Sequence, residues 1–122
     1  MTPDDVALGY LAAFEGGDPA DHVTDDFVNE HTAALGSGCV GRDEYRARLP
    51  GFRRDFVGIR YEPEDVVVDG DRVVVRYRMT ATFGGKPIDI RGAMWFRIDG
   101  DLVAHRVDYW DALTFQQQAG LV

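Results

Sequence analysis

The segment best suited to chemistry is a predicted strand, Leu102 to Trp110, in which Asp108 precedes Trp110 by two residues. Alternate residues of a strand face the same side of a sheet, so the carboxyl group and the indole share one face. Two interpretations follow: a functional acid in an apolar pocket, or a charge at a rim that pairs with Arg106 or Arg91. In a pocket, burial raises the pKa of a carboxyl group and allows general acid or base catalysis near neutral pH.

The pocket interpretation of Asp108 leads to an expectation for its amide variant. Asp108→Asn keeps the shape of the side chain but cannot carry a proton, so it should abolish turnover and leave the fold intact. An isolated buried carboxylate is unfavourable, so the substitution is expected even to stabilise the protein. We expect burial to dominate the pKa of Asp108 only if Arg106 and Arg91 point away from it.

His31 and Tyr10 are the next candidates, and each has a structural alternative. His31 lies in a predicted strand from Phe27 to Thr32. It is either a core histidine bonded to the backbone or an acid/base group whose charge changes near pH 7. Tyr10 lies on a helical stripe with Val6 and Phe14. It either packs in the core or uses its hydroxyl group to bind a substrate oxygen, because a buried phenol needs a partner.

Five large side chains are more typical of a pocket wall than of chemistry. Methionine and aromatic side chains form an adaptable apolar surface, which suits a polycyclic or terpenoid-like ligand. By contrast, Cys39 lies in a glycine-rich loop with no base beside it, so a catalytic thiol is not expected. The predicted wall residues are Trp110, Tyr77, Met79, Ile90 and Met94.

Composition excludes several classes of function. The chain has 122 residues and a formal net charge of −8, and we expect a single domain over residues 1–122. Its acidity disfavours nucleic acid and anionic membranes as partners. The single cysteine excludes an internal disulfide, and no Cys/His cluster predicts a metal site. The acidic first residues carry no secretory signal, so we expect a cytoplasmic protein.

The apolar period changes from that of helices to that of strands near residue 56, which indicates an α+β fold. A curved antiparallel sheet with three N-terminal helices over its concave face makes a cone-shaped roll, whose interior is the natural small-molecule pocket. The predicted helices are Pro3 to Phe14, Pro19 to about Asp26, Arg42 to about Asp55 with a bend or interruption at Pro50-Gly51, and Ala112 to Ala119; the predicted strands are 27–32, 59–68, 72–83, 86–98 and 102–110.

The order of several short motifs resembles the SnoaL-like branch of the nuclear transport factor two-like superfamily. Polyketide cyclases, ketosteroid isomerase and limonene epoxide hydrolase are relatives within that superfamily. The resemblance extends nearly from end to end, and it is more specific for the fold than for the reaction, since one fold hosts many functions. The motifs are Phe27-Val28-Asn29-Glu30-His31, Gly41-Arg42-Asp43-Glu44-Tyr45, Asp69-Gly70, Arg91-Gly92, Asp99-Gly100, Asp108-Tyr109-Trp110-Asp111 and Gln118-Ala119-Gly120-Leu121.

The resemblance implies roles for three residues. Asp108 corresponds to an active-site aspartate of limonene epoxide hydrolase and to the acid/base aspartate of SnoaL-like cyclases. Tyr10 corresponds to the oxyanion-binding tyrosine of ketosteroid isomerase. His31 lies near the general base of that isomerase and near a water-positioning tyrosine of the hydrolase. Two positions depart from these enzymes: Met94 replaces the isomerase's second oxyanion acid, and the segment around Tyr77 lacks the hydrolase's aspartate.

Two hypotheses therefore remain. In the first, a cofactor-free cyclase, isomerase or hydrolase binds a hydrophobic polyketide, steroid or terpenoid-like molecule in the cone. Asp108 moves a proton there, and His31 or Tyr10 orients water or stabilises an oxyanion. In the second, the domain is a non-catalytic binding or dimerisation module, which gains support if Asp108 and His31 do not share a cavity. Apolar residues on both sheet faces also predict a homodimer through the convex face.

Overall fold

Helices form the first layer of the computed structural model, which describes residues 1–122. The first helix begins with a capping box, in which Thr2 and Asp5 each accept a hydrogen bond from the other's backbone N–H. The elements are α1 (Pro3–Ala12), a 3₁₀ helix (Pro19–His22), β1 (Val23–His31), β2 (Cys39–Val40), α2 (Arg42–Asp55), β3 (Val57–Asp69), β4 (Arg72–Phe83), β5 (Lys86–Asp99), β6 (Leu102–Trp110) and α3 (Ala112–Gln118).

The boundary between the second helix and the first strand differs from that expected. The helix predicted to reach about Asp26 ends at His22, and the strand predicted from Phe27 begins at Val23. The apolar residues of this short segment fit either period, so only packing against the sheet decides between them. The predicted bend or interruption of α2 at Pro50-Gly51 does not break the helix, which continues to Asp55.

One six-stranded sheet, in the order β2-β1-β6-β5-β4-β3, forms the second layer. Strands β3 to β6 make the predicted antiparallel meander. The sheet is mixed rather than wholly antiparallel, because β1 runs parallel to β6 and places His31 opposite Asp108. Strand β2, which pairs with β1, lies in a segment predicted to be a loop. The α+β, cone-like architecture is confirmed.

The core fills the space between the helices and the concave face of the sheet. Aromatic rings dominate it, with Tyr10 of α1 packed edge-on against Phe14 and Phe96 and stacked near Tyr45 of α2. This core leaves room at one end of the sheet, beyond Phe52, where the cavities described below lie. No helix of the chain is both long and apolar enough to cross a bilayer.

Candidate functional site

An apolar cavity of about 330 Å³ opens between the concave face of the sheet, α2 and α3. Its volume lies within the range of ligand pockets. Four of the five predicted wall residues line it, together with Asp108 and His31. We call this cavity the aromatic chamber; its main wall residues are Trp110, Tyr77, Met79 and Ile90, as predicted, and Phe52, Phe56, Tyr61, Phe83 and Phe115.

Asp108 is the buried carboxylate of the aromatic chamber, with 4% of the residue exposed. The Tyr77 hydroxyl donates to its Oδ1 at 2.7 Å, and Arg106 Nη2 donates to its Oδ2 at 3.0 Å. Burial raises the pKa of Asp108, and the charge of Arg106 and the hydrogen bond from Tyr77 oppose this rise. The sequence left a pocket and an ion pair as alternatives for Asp108, and the structure contains both. Burial has the larger effect, so the pKa of Asp108 is raised although Arg106 points at the carboxylate.

Gly92 allows Tyr77 to reach Asp108 across the intervening strand. Tyr77 of β4 lies opposite Gly92 of β5, whereas Asp108 of β6 lies opposite Met94, one inward-facing residue further along. A Cβ atom at Gly92 would meet the Tyr77 hydroxyl oxygen at 2.5 Å and the Tyr109 carbonyl oxygen at 2.6 Å. A glycine within an apolar strand often marks such a close approach, and this was the available sequence signal.

Arg106 organises the polar centre of the site and was predicted only as a possible ion-pair partner. It is 3% exposed, and its Nη1 donates to Asn29 Oδ1 at 3.0 Å. Its Nε donates to Met94 Sδ at 3.3 Å, and its guanidinium lies 5.8 Å from the centre of the Tyr10 ring. Its position two residues before Asp108 was the signal that both side chains share the concave face.

His31 stands beside the carboxylate but does not titrate where the sequence predicted. Its Nδ1 lies 3.7 Å from Asp108 Oδ2, and 17% of its side chain is exposed. Burial and the nearby charge of Arg106 lower the pKa of His31 to about 3, so the imidazole is neutral at pH 7. The prediction that His31 changes its charge near pH 7 is therefore wrong. Gly36 packs directly on this side chain, because a Cβ there would lie 2.3 Å from His31 Cβ.

Two predicted site residues do not reach a cavity wall. Tyr10 is completely buried, and its hydroxyl group is hydrogen-bonded to that of Tyr45. Met94 is also completely buried and accepts the hydrogen bond from Arg106. Arg106 lies beside both of them, with its guanidinium 5.8 Å from the centre of the Tyr10 ring and its Nε 3.3 Å from Met94 Sδ.

A second cavity, of about 610 Å³, adjoins the first along the side of α2. We call it the polar chamber; Asn29, Arg48, Arg54 and Arg106 line it. The two chambers share His31, Ser37, Phe52 and Asp55. The buried ion pair thus lies between them, with Arg106 at the polar chamber and Asp108 at the aromatic chamber.

Two buried polar atoms near the aromatic chamber have no hydrogen-bond partner in the protein: His31 Nδ1 and Trp110 Nε1. Buried polar atoms without a partner in the protein are rare, and these two are available to hydrogen-bond a ligand in the chamber. The chain presents no group of three or more His, Cys, Asp or Glu side chains that could hold a metal ion.

Residues 7–106 match the SnoaL-like domain family. The chain belongs to this family. The match covers most of the sequence and confirms the resemblance inferred from the short motifs. No curated protein matches the chain.

Solved structures carry the same SnoaL-like fold. A hypothetical protein with a ketosteroid isomerase-like fold from Catenulispora acidiphila DSM 44928, in complex with trimethylamine, has a TM-score of 0.87 at 17% identity, covering 98% of this chain and 95% of its own. TerC co-crystallised with polyporic acid has a TM-score of 0.83 at 18% identity, covering 98% and 99%. A protein provisionally named a SnoaL-like polyketide cyclase, from Jannaschia sp. CCS1, has a TM-score of 0.80 at 19% identity, covering 98% and 92%.

Proposed function

We propose that this SnoaL-like protein is an enzyme that binds a hydrophobic small molecule in the aromatic chamber and transfers a proton with Asp108. The observation that carries the proposal is the buried Asp108 carboxylate, held by Tyr77 and Arg106 at the wall of an apolar cavity. A carboxylate offers about four lone-pair positions, and two accept hydrogen bonds here, so others remain for a proton from the ligand.

The proposed reaction begins with a carbon acid, such as the CH₂ group beside a carbonyl. Asp108 accepts the proton as its carboxylate, and the electron pair of the C–H bond passes to the carbonyl oxygen as an enolate. Neutral His31 orients the ligand oxygen or a water molecule, and the proton then returns to carbon or oxygen. These side chains suffice for this proton transfer, so the proposed cyclase or isomerase chemistry needs no cofactor.

Hydrogen–deuterium exchange into 2-tetralone tests this proposal without the natural substrate, because this bicyclic ketone has an activated CH₂ group. In D₂O, the wild-type protein should accelerate loss of the proton signal measured by NMR, and Asp108→Asn should not. Asp101→Asn, which changes an exposed turn carboxylate, is the matched control. Circular dichroism must confirm that each variant is folded at the assay temperature.

A second candidate function is ligand binding without catalysis. It is favoured by one observation, that both oxygens of Asp108 already have donors within the protein. Calorimetric binding of 2-tetralone with no acceleration of exchange would support this candidate over the enzyme.

We also propose that the SnoaL-like domain forms a homodimer through the convex face of the sheet. Val67, Val74 and Trp95 make an apolar row across three adjacent strands on that face. Val67 is 59% exposed and Val74 is 37% exposed, and Tyr109 nearby is 53% exposed. Contiguous exposed apolar surface of this kind marks interaction sites in soluble proteins.

A further inference from the structure

The two chambers differ in character although they share part of their wall. The aromatic chamber has mostly hydrophobic lining, whereas the polar chamber is lined by three arginines and a single carboxylate, that of Asp55. Three guanidinium groups at one cavity wall are notable in a chain whose formal net charge is −8. Guanidinium groups donate charge-assisted hydrogen bonds to anions.

Arg54 is the arginine of the polar chamber that no protein group neutralises. Arg48 pairs with Glu44 and donates to a carbonyl group, and Arg106 pairs with Asp108. Arg54 is exposed, lines the chamber and makes no hydrogen bond or ion pair within the protein. Its positive charge is therefore available to a ligand.

The Arg54 side chain is directed along the chamber wall. Side chains of a helix slope towards its N-terminus, so Arg54 in the last turn of α2 lies back over Gly51. A Cβ atom at Gly51 would lie 3.5 Å from Arg54 Nη2, and Gly51 itself lines the polar chamber. The exposed guanidinium thus stands at the cavity wall.

Arg106 offers a second contact for the same anion. A guanidinium has five N–H donors. Three of those in Arg106 have partners, in Met94, Asn29 and Asp108. Because Arg106 also lines the polar chamber, an anion there can accept a charge-assisted hydrogen bond while Asp108 faces the other chamber.

We propose that the ligand of this site is an aromatic or polycyclic carboxylic acid, whose rings occupy the aromatic chamber and whose carboxylate lies in the polar chamber beside Arg54 and Arg106. This inference rests on the proposed function, since it assigns a chemical class to the ligand of the same site. Asp55 lines both chambers, and its negative charge repels the carboxylate of the ligand. Its neutralisation should therefore strengthen binding, whereas neutralisation of Arg54 should weaken it.

The experiment compares 1-naphthaleneacetate with its neutral isostere, 1-naphthaleneacetamide, by isothermal titration calorimetry at pH 7. The acid should bind the wild-type protein more tightly than the amide does. Arg54→Gln should weaken binding of the acid by about fivefold, the factor equivalent to about 1 kcal/mol. It should leave binding of the amide unchanged. Asp55→Asn should strengthen binding of the acid alone.

Arg97→Gln is the matched control, because it removes one positive charge from an exposed position outside both chambers. An equal loss of affinity in this variant would attribute the effect to net charge and overturn the inference. If the acid and the amide bind with equal affinity and Arg54→Gln changes neither, the ligand is not a carboxylic acid and the inference is overturned. The proposed function, which needs only binding in the aromatic chamber, would stand. If neither compound binds, the inference is also overturned, and the exchange assay with 2-tetralone decides the proposed function separately.

Discussion

Arg106 and Asp108 face the same side of β6 and form a 3.0 Å ion pair whose side chains are 4% and 5% exposed. Removal of one partner from a buried pair leaves the other charge without compensation in a medium of low polarity. Asp108 is therefore not the isolated carboxylate assumed from the sequence. Its substitution must be interpreted together with Arg106.

We predict that Asp108→Asn lowers the free energy of unfolding by about 3 kcal/mol, because Arg106 loses its anion inside the protein. This replaces the sequence-based expectation of an unchanged or more stable fold. Urea unfolding at pH 7 measures the change. The double variant Arg106→Met/Asp108→Asn should recover most of the loss, because no unpaired charge remains. A fully stable single variant would show that the pair contributes little to folding.

Tyr77→Phe tests the other hydrogen bond to Asp108. The hydroxyl group stabilises the carboxylate, so its removal should raise the pKa of Asp108 further. A base acts in its ionised form, so the acidic limb of the pH profile of 2-tetralone exchange should move to higher pH. Tyr109→Phe, at an exposed position of the convex face, should leave the profile unchanged. An unshifted profile in Tyr77→Phe would argue against Asp108 as the group that titrates.

Local patterns predicted most of the helices and strands and the common face of several side chains. Alternation along β6 correctly gave Asp108 and Trp110 a common face, and the apolar stripe of α2 gave a helix over the sheet. Alternation does not specify which strand will be the neighbour. The parallel pairing of β1 with β6, which brings His31 opposite Asp108, was missed for that reason.

Sequence patterns also do not show how deeply a side chain is buried beneath the concave face. Tyr10 and Met94 have the correct type and face for the site, but both are completely buried and line neither cavity. The pKa of His31 likewise depends on burial and on Arg106, a residue that is distant in sequence. Properties that arise from tertiary packing between remote segments cannot be obtained from spacing alone.

Gly92→Ala should destabilise the protein by about 1–3 kcal/mol, the range for overpacking a well-filled site. The new methyl group would displace the Tyr77 hydroxyl, and the Tyr109 carbonyl behind it belongs to a paired backbone that cannot move freely. Gly9→Ala is the control, because nothing lies within 4 Å of a Cβ there and alanine favours a helix. Thermal unfolding of both variants measures the difference, and equal behaviour would contradict the close approach described here.

Glutamate substitutions on the convex face of the sheet test the proposed dimer. Wild-type protein at micromolar concentration should scatter light as twice the 13.6 kDa chain. Val74→Glu combined with Tyr109→Glu should give the monomer mass, because two buried carboxylates at a symmetric interface repel and lose hydration. Leu113→Glu, which alters an exposed apolar residue of α3, should remain dimeric. A monomeric wild-type protein would contradict the proposal.

The last prediction concerns the pH dependence of stability that His31 imposes. In the folded protein the pKa of His31 is about 3, against 6.5 for an ordinary histidine, so between these values only the unfolded chain binds the proton. Stability from this group is therefore complete above pH 6.5 and decreases as the pH falls towards 3. At pH 5 the loss should be about 2 kcal/mol, from about 1.5 pH units at 1.36 kcal/mol each. Asp108, whose pKa is raised, acts in the opposite direction but is present in every variant compared.

Urea unfolding of wild type and His31→Gln at pH 7.5 and pH 5 isolates this contribution. The wild-type protein should lose about 2 kcal/mol more than the variant over this interval, because glutamine cannot bind a proton. His22→Gln, which removes a histidine outside both chambers, should follow the wild type. Equal losses in wild type and His31→Gln would mean that the imidazole is protonated as readily in the folded as in the unfolded chain. That outcome would remove neutral His31 from the proposed site, since a charged imidazole beside Asp108 would pair with the carboxylate instead of orienting a ligand.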